Sequence, residues 1–304
     1  EKIAKTVPDF EQTVLLTAAS INRGFSELLR KEREIDPQVA IYDSQTSRYF
    51  SYVAPETSVK TTESERAFIR LLEDMGVSYR FIDPDTFVSQ SSNFIKLLIL
   101  PACYALEEKE IGALADFLRQ GGFIAADVLP GKYDEHGTPR EKFVLWQSFV
   151  AMPPIEDKTA SEANTEGNTQ AFLLGEELCH YPETRTESVG ADIRKKFFDI
   201  LTRASFNPPV RLRSRDFQRL PGAELRVWQW DNAVIFGLLA DPTTSTRAAR
   251  CTLEFSNRLK TYYMFSVKQF LSSTKLSVSV APCKVALFSS LPYELKQFTL
   301  ETPK

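Results

Sequence analysis

Between Val39 and Val128 short apolar runs of strand length alternate with stretches whose apolar residues recur at helical spacing. The strand-like runs are Val39-Ala-Ile-Tyr42, Val77-Ser-Tyr-Arg-Phe-Ile82, Leu97-Leu-Ile-Leu100 and Phe123-Ile-Ala-Ala126. One intervening helix opens on Thr62-Glu-Ser-Glu65, a capping box in which each end of the tetrad satisfies an amide of the other. It buries Phe68, Leu71, Leu72 and Met75 and stops at Gly76. The next spans about Glu107 to Gln120, with Ile111, Leu114, Ala115 and Leu118 inward and Gly121-Gly122 closing it. Its first turn carries Glu107, Glu108 and Glu110, the sign that the helix dipole favours there. Strands alternating with helices predict a βαβ layer structure around a parallel sheet.

The flanks follow other patterns. Val14, Leu15, Ala18, Ile21, Phe25, Leu28 and Leu29 fall on one helical face, and Asp36-Pro37 ends that helix because the residue before a proline leaves the α region. Residues 1–37 thus read as the tail of a preceding domain. Thr138-Pro-Arg-Glu141 predicts a further capped helix carrying Phe143, Leu145, Trp146 and Phe149. Residues 153–190 turn polar and irregular around one short strand at Ala171-Phe-Leu-Leu174, and a clean helix follows through Ile193, Phe197, Ile200, Leu201 and Ala204 until Asn207-Pro-Pro209. From Val210 the period becomes two, with Asp231-Asn232 as a tight hairpin between apolar strands. The expectation is an α/β domain over 38–208 and an antiparallel β-sandwich over 209–304.

Composition narrows the functional classes. The 304 residues are 43% hydrophobic and 25% charged, ordinary for a soluble globular protein, and no apolar run approaches the roughly 20 residues of a membrane span. Acidic and basic residues are interspersed without a basic stripe, which argues against nucleic acid as a partner. Compartment stays open. The four cysteines are single and only two histidines occur, so a zinc site is not expected. Dinucleotide and phosphate-loop glycine patterns are missing, so no cofactor is expected. A chain starting at Glu1 without a leader reads as processed or as a piece of a longer protein.

A parallel sheet binds ligands beyond the carboxyl ends of its strands, where strand order reverses. That places Asp43, Ser44, Gln45, Cys103 and Asp127 around a candidate crevice. The plain alternative is that Asp43 and Ser44 cap a turn while Cys103 packs under a loop. Cys103 with His136 would make a hydrolase, yet Pro101-Ala-Cys-Tyr104 lacks the small residues of a nucleophile elbow. Carboxylates are many, but the seven or eight βα units of a barrel that would set a pair across a sugar are missing. Trp228 and Trp230 share a strand face and, with Trp146, Tyr262 and Tyr263, offer a sugar platform or a buried interface. Arg211, Arg213 and Arg215 read as a charged strand edge.

The runs Val39-Ala-Ile-Tyr-Asp-Ser-Gln45, Leu97-Leu-Ile-Leu-Pro-Ala-Cys-Tyr-Ala-Leu106 and Leu114-Ala-Asp-Phe-Leu-Arg-Gln-Gly-Gly-Phe-Ile124 resemble the trimerisation domain of glycoside hydrolase family 42 β-galactosidases. The resemblance covers roughly residues 38–205, and the β-rich tail is similar to the small C-terminal domain of that family. It implies a flavodoxin-like, class I glutamine amidotransferase-like fold without catalytic residues. It also implies a homo-oligomer, a trimer in that family, working beside an upstream catalytic barrel and possibly carbohydrate. The amidotransferase triad has no counterpart, since the elbow reads Asp127-Val-Leu-Pro130. The expected function is a non-catalytic, oligomer-forming region of a carbohydrate-active enzyme. The alternatives are a carbohydrate-binding module using Trp228 and Trp230, and a hydrolase using Cys103.

Overall fold

A computed structural model describes residues 33–34, 37–55, 57–89, 94–141, 147–151, 169–213, 221–230, 232–241, 243–244, 249–263, 273–281 and 285–293. After β1 (Arg33–Glu34) come β2 (Val39–Tyr42), α1 (Gln45–Val53), α2 (Thr61–Asp74), β3 (Tyr79–Ile82) and α3 (Pro84–Ser89). Then follow β4 (Leu97–Leu100), α4 (Glu108–Arg119), β5 (Phe123–Ala126), β6 (Phe149–Ala151) and β7 (Ala171–Leu173). A 3-10 turn (Glu176–His180), α5 (Tyr181–Thr184) and α6 (Ser188–Arg203) complete the α/β part.

The strands pair in the order β3-β2-β4-β5-β7-β6, all parallel. Both faces of β2 and β4 are buried, which is why Val39–Tyr42 and Leu97–Leu100 read as continuous apolar runs and not as alternating ones. Helix α2 is held by Ala67, Phe68, Leu71 and Leu72, each 0% exposed, and sealing a leucine or phenylalanine side chain contributes about 1.5–3 kcal/mol. Its start lies two residues earlier than the capping box predicts. Lys60 is the cap, and its N–H donates to Glu63 at 3.3 Å. Glu65 is engaged elsewhere, by Arg48 at 2.9 Å, so it does not turn back on the cap.

Two further expectations change. Thr138-Pro-Arg-Glu141 does not open a helix. Asp134 Oδ1 captures the amides of His136 and Thr138 at 2.9 and 2.7 Å, and Pro139 and Arg140 fold back beside Tyr133 and Lys132. Phe149 starts the edge strand β6, while Phe143, Leu145 and Trp146 lie outside the described residues. The leading helix also lies outside them, except that Arg33–Glu34 is extended and pairs antiparallel with Gln229 and Trp228. The backbone there belongs to a sheet edge, so a helix running on to Asp36 is excluded.

The second layer structure comprises β8 (Val210–Leu212), β9 (Ala223–Trp230), β10 (Ala233–Ala240), β11 (Ala249–Tyr263), β12 (Ser273–Val280) and β13 (Val285–Leu291). It is a β-sandwich built around β11, whose first half pairs with β8 and β12 and whose last residues pair with β13 after a shift in register beyond Glu254. Phe236 of β10 stacks on Phe288 and meets Phe255 of β11 edge-on at 5.6 Å, joining the two layers. The turn between β9 and β10 falls where the pattern places it, with Ala233 opposite Trp230, while Asp231 itself lies outside the described residues. One apolar core runs unbroken from Val39, Phe68 and Phe197 into Leu212, Leu225 and Phe236. Among the described residues no helix is long and apolar enough to cross a membrane.

Candidate functional site

Strand order reverses between β2 and β4, and the crevice outside their carboxyl ends is where a sheet of this type presents its chemistry. Here the crevice is filled by the chain itself. Ser44 caps α1, accepting the Ser47 N–H at 3.2 Å, while Gln45, the first helical residue, is exposed. Asp43 pairs with Arg48 at 2.7 Å, and Arg48 bridges on to Glu65. The turn reading of Asp43 and Ser44 therefore describes their contacts, with the addition that the turn opens a helix.

The fully buried side chains of helix α1 are hydroxyls, with Phe50 half-buried beside them against Tyr133. Ser47 and Ser51 are fully buried, whereas Tyr49, Tyr52 and Val53 are 71%, 60% and 78% exposed. Ser47 Oγ donates to the Ala105 carbonyl at 2.6 Å and accepts the Ala105 N–H at 3.1 Å. From α2, Thr61 Oγ1 lies within hydrogen-bonding distance of the carbonyls of Ser47 and Ala102, and its N–H donates to Ser51 Oγ. The ligand space of the fold is thus occupied by serine and threonine side chains that satisfy loop backbone groups.

Asp127 directly follows β5, and its carboxylate turns back onto the loop after β4. Oδ1 accepts two amides, Ala102 N–H at 2.8 Å and Val128 N–H at 3.0 Å. Ala102 adopts φ +38°, a left-handed conformation that costs an alanine about 1–2 kcal/mol and that persists here with its N–H aimed at the carboxylate. The other oxygen, Oδ2, and the Ser64 hydroxyl are both sealed from solvent with no partner at close hydrogen-bonding geometry. Burial raises the Asp127 pKa above the ordinary carboxylate value, against the opposing pull of the Ser64 hydroxyl and the Ala102 and Val128 amides.

Cys103 is 0% exposed, its Sγ 3.5 Å from the Pro101 carbonyl. Burial and the nearby carboxylates of Glu110 and Asp127 push its thiol well above the usual range, the reverse of what a thiolate nucleophile needs. His136 stands in the Asp134 turn with its side chain 81% exposed, 3.7 Å from Glu135. The structure gives the cysteine–histidine pair no geometry. Beneath Cys103, Tyr42 donates to Glu110 Oε1 at 2.6 Å, and Oε2 accepts the Glu107 N–H at 2.6 Å.

Trp228 alternates with the core residues Leu225 and Val227, so it lies on the other face of β9, half-buried, with its ring edge over Gly237. The side chains of Trp230, Tyr263 and Trp146 lie outside the described residues. At the opposite end of the α/β sheet, an apolar cleft of about 120 Å³ opens between Met75, Val77, Phe198, Leu201, Phe206 and Leu212. Among the described residues no group of three or more His, Cys, Asp or Glu is placed to hold a metal ion.

Sequence reasoning named Asp43, Ser44, Gln45, Cys103 and Asp127 and missed the residues that close the space between them. Ser44, Ser47 and Ser51 recur at i, i+3 and i+7, and Thr61 and Ser64 at i and i+3. This is the helical period written in hydroxyls, invisible to a search for apolar faces.

No family model matches the chain, and no curated protein matches it. Solved structures do. The E323A catalytic mutant of Gan42B, a GH42 β-galactosidase from G. stearothermophilus, superposes with a TM-score of 0.57 at 12% identity, over 84% of this chain and 40% of its own. The β-galactosidase of the psychrophilic Marinomonas ef1 gives 0.53 at 13% identity, over 95% and 42%. The α-L-fucosidase isoenzyme 2 of Paenibacillus thiaminolyticus gives 0.56 at 12% identity, over 91% and 51%. At such identity the likeness is one of fold. This chain spans about half or less of each of these glycoside hydrolases, and what it shares with them is an α/β domain joined to a β-sandwich.

Proposed function

We propose that the chain is a non-catalytic, oligomer-forming region of a carbohydrate-active enzyme of the β-galactosidase type, acting beside a catalytic barrel. The observation that carries this reading is Asp127. At the position where a hydrolase of this shape carries its nucleophile, this chain carries a buried carboxylate that engages the loop amides itself. The filled crevice supports the same reading, as does a fold found within longer glycoside hydrolases. Tyr49, Tyr52 and Val53, raised on α1 beside that crevice, supply the apolar contact face that such a role requires.

Sedimentation velocity of the full chain at micromolar concentration tests this. A trimer is the expected species, and Tyr49→Asp with Tyr52→Asp shifts it to monomer without loss of helical signal. A monomer at every concentration up to about 100 µM, a range in which obligate interfaces stay closed, removes the oligomer reading. Turnover of a nitrophenyl galactoside by the chain alone removes the non-catalytic one.

A further inference from the structure

An oxyanion hole is made by two backbone N–H groups: one from the residue after the nucleophile and one from a neighbouring strand-to-helix loop. Both are present here. The Val128 N–H follows the elbow residue and the Ala102 N–H comes from the loop after β4, and they converge on a single oxygen, Asp127 Oδ1, at 3.0 and 2.8 Å. We propose that Ala102 and Val128 form a carboxylate-binding site that Asp127 keeps permanently occupied, and that removing the Asp127 carboxyl group opens it to a small free carboxylate.

Three observations carry this. The bifurcated acceptance at one oxygen is the geometry in which paired amides hold an oxyanion. Ala102 holds a left-handed backbone that no glycine relieves, and its N–H serves no backbone partner in the loop, only this carboxylate. The Ser64 hydroxyl, 0% exposed and without a close partner, acts on the Asp127 carboxyl group and is a further donor for whatever occupies the site. Loss of the carboxylate leaves both amides buried and unpaired beside this hydroxyl, which is the condition under which an internal cavity takes up a polar guest. The inference is independent of any role in a glycoside hydrolase.

Size makes the proposal specific. Asp127→Ala deletes one carbon and two oxygens, the heavy atoms of formate; Asp127→Gly deletes the methylene as well, leaving the shape of acetate. Formate should therefore bind Asp127→Ala better than acetate does, and acetate should gain on formate in Asp127→Gly. Thermal unfolding of the full-length variants in sodium formate, sodium acetate and sodium chloride at equal ionic strength reads this. The matched anion raises the midpoint by roughly 2–4 °C at five times its Kd, with the wild type unmoved. Equal shifts in chloride, equal shifts in the wild type, or no preference for the matched anion overturns the proposal.

If both variants fail to fold, the wild type and Asp127→Asn decide it. The Ala102 and Val128 amide proton resonances should titrate together with one carboxylate in the wild type. In Asp127→Asn, which keeps an acceptor oxygen, that common titration should vanish. Separate titrations, or a common titration that survives in Asp127→Asn, count against a shared site.

Discussion

Arg185 is forked onto Asp74 within the α/β domain and ties that pair to the β-sandwich through Asp241. Arg185 Nε donates to Asp74 Oδ2 at 2.9 Å and Nη2 to Oδ1, while Nη1 reaches Asp241 Oδ2, beyond β10, at 2.8 Å. Asp74 is 0% exposed and also accepts the Tyr181 hydroxyl at 2.7 Å. A guanidinium suits this place because its planar fork serves two carboxylates at once. Removing one partner of a buried pair strands the other charge, so Arg185→Ala should cost about 3–5 kcal/mol in urea unfolding. Asp241→Asn leaves Asp74 satisfied and should cost about 1 kcal/mol. Equal losses in the two variants would show that Asp74 gains nothing special from Arg185.

Asp241 also sets a limit in acid. Burial opposes ionisation of its carboxyl, but the Thr243 amide and hydroxyl and the charge of Arg185 prevail and hold its pKa at about 2, below the ordinary 3.8. A depressed pKa means that the unfolded chain takes up the proton first. The stabilisation is therefore complete above about pH 4 and is lost as pH falls toward 2. Urea midpoints at pH 5, 3 and 2 should fall more steeply for the wild type than for Asp241→Asn, and parallel curves would refute the assignment.

Glu110 works in the other direction. Burial raises its pKa despite the Tyr42 hydroxyl and the Glu107 amide, so the folded protein holds this proton where the unfolded chain has released it. Its contribution is greatest at low pH and declines as pH rises through 4.5, the value of the unperturbed group. Glu110→Gln, which cannot ionise, should gain on the wild type as pH rises above 4.5 and the gain should level off once the folded-state carboxyl has ionised. A pH-independent difference in stability between the two would remove this account.

The fold was legible wherever burial follows hydrophobicity. Val39–Tyr42, Leu97–Leu100 and Phe123–Ala126 are continuous apolar runs because both faces of the sheet are covered, and Asp231-Asn232 marked its hairpin through turn chemistry. Helix α1 was not legible, because its buried face is Ser47 and Ser51 and its exposed face is Tyr49, Tyr52 and Val53, an inverted pattern. Thr138 misled for a local reason: a capping signal is only as strong as its competitors, and Asp134 captured the amides first. That Asp127 turns inward onto the Ala102 amide depends on a positive φ at an alanine, which residue type does not announce.

Gly76 and Gly112 should respond to the same substitution with opposite sign. Gly76 ends α2 at φ +64°, and a Cβ built there would stand 2.6 Å from Leu212 Cδ1 and 3.2 Å from Leu225 Cβ, both in the β-sandwich. Leu212 and Leu225 are 3% and 2% exposed and belong to the shared core, so neither can move aside freely. Strain and crowding together should make Gly76→Ala cost about 2–4 kcal/mol. Gly112 lies within α4 on an exposed face, where an added Cβ would meet no atom within 4 Å. There alanine only restricts the unfolded chain and favours the helix, a gain of about 0.5–1 kcal/mol. Chemical unfolding of the two variants side by side isolates the seam between the domains from helix propensity. A loss at Gly76 no larger than the gain at Gly112 would mean that the α2 terminus and the sandwich are not packed as tightly as Leu212 and Leu225 imply.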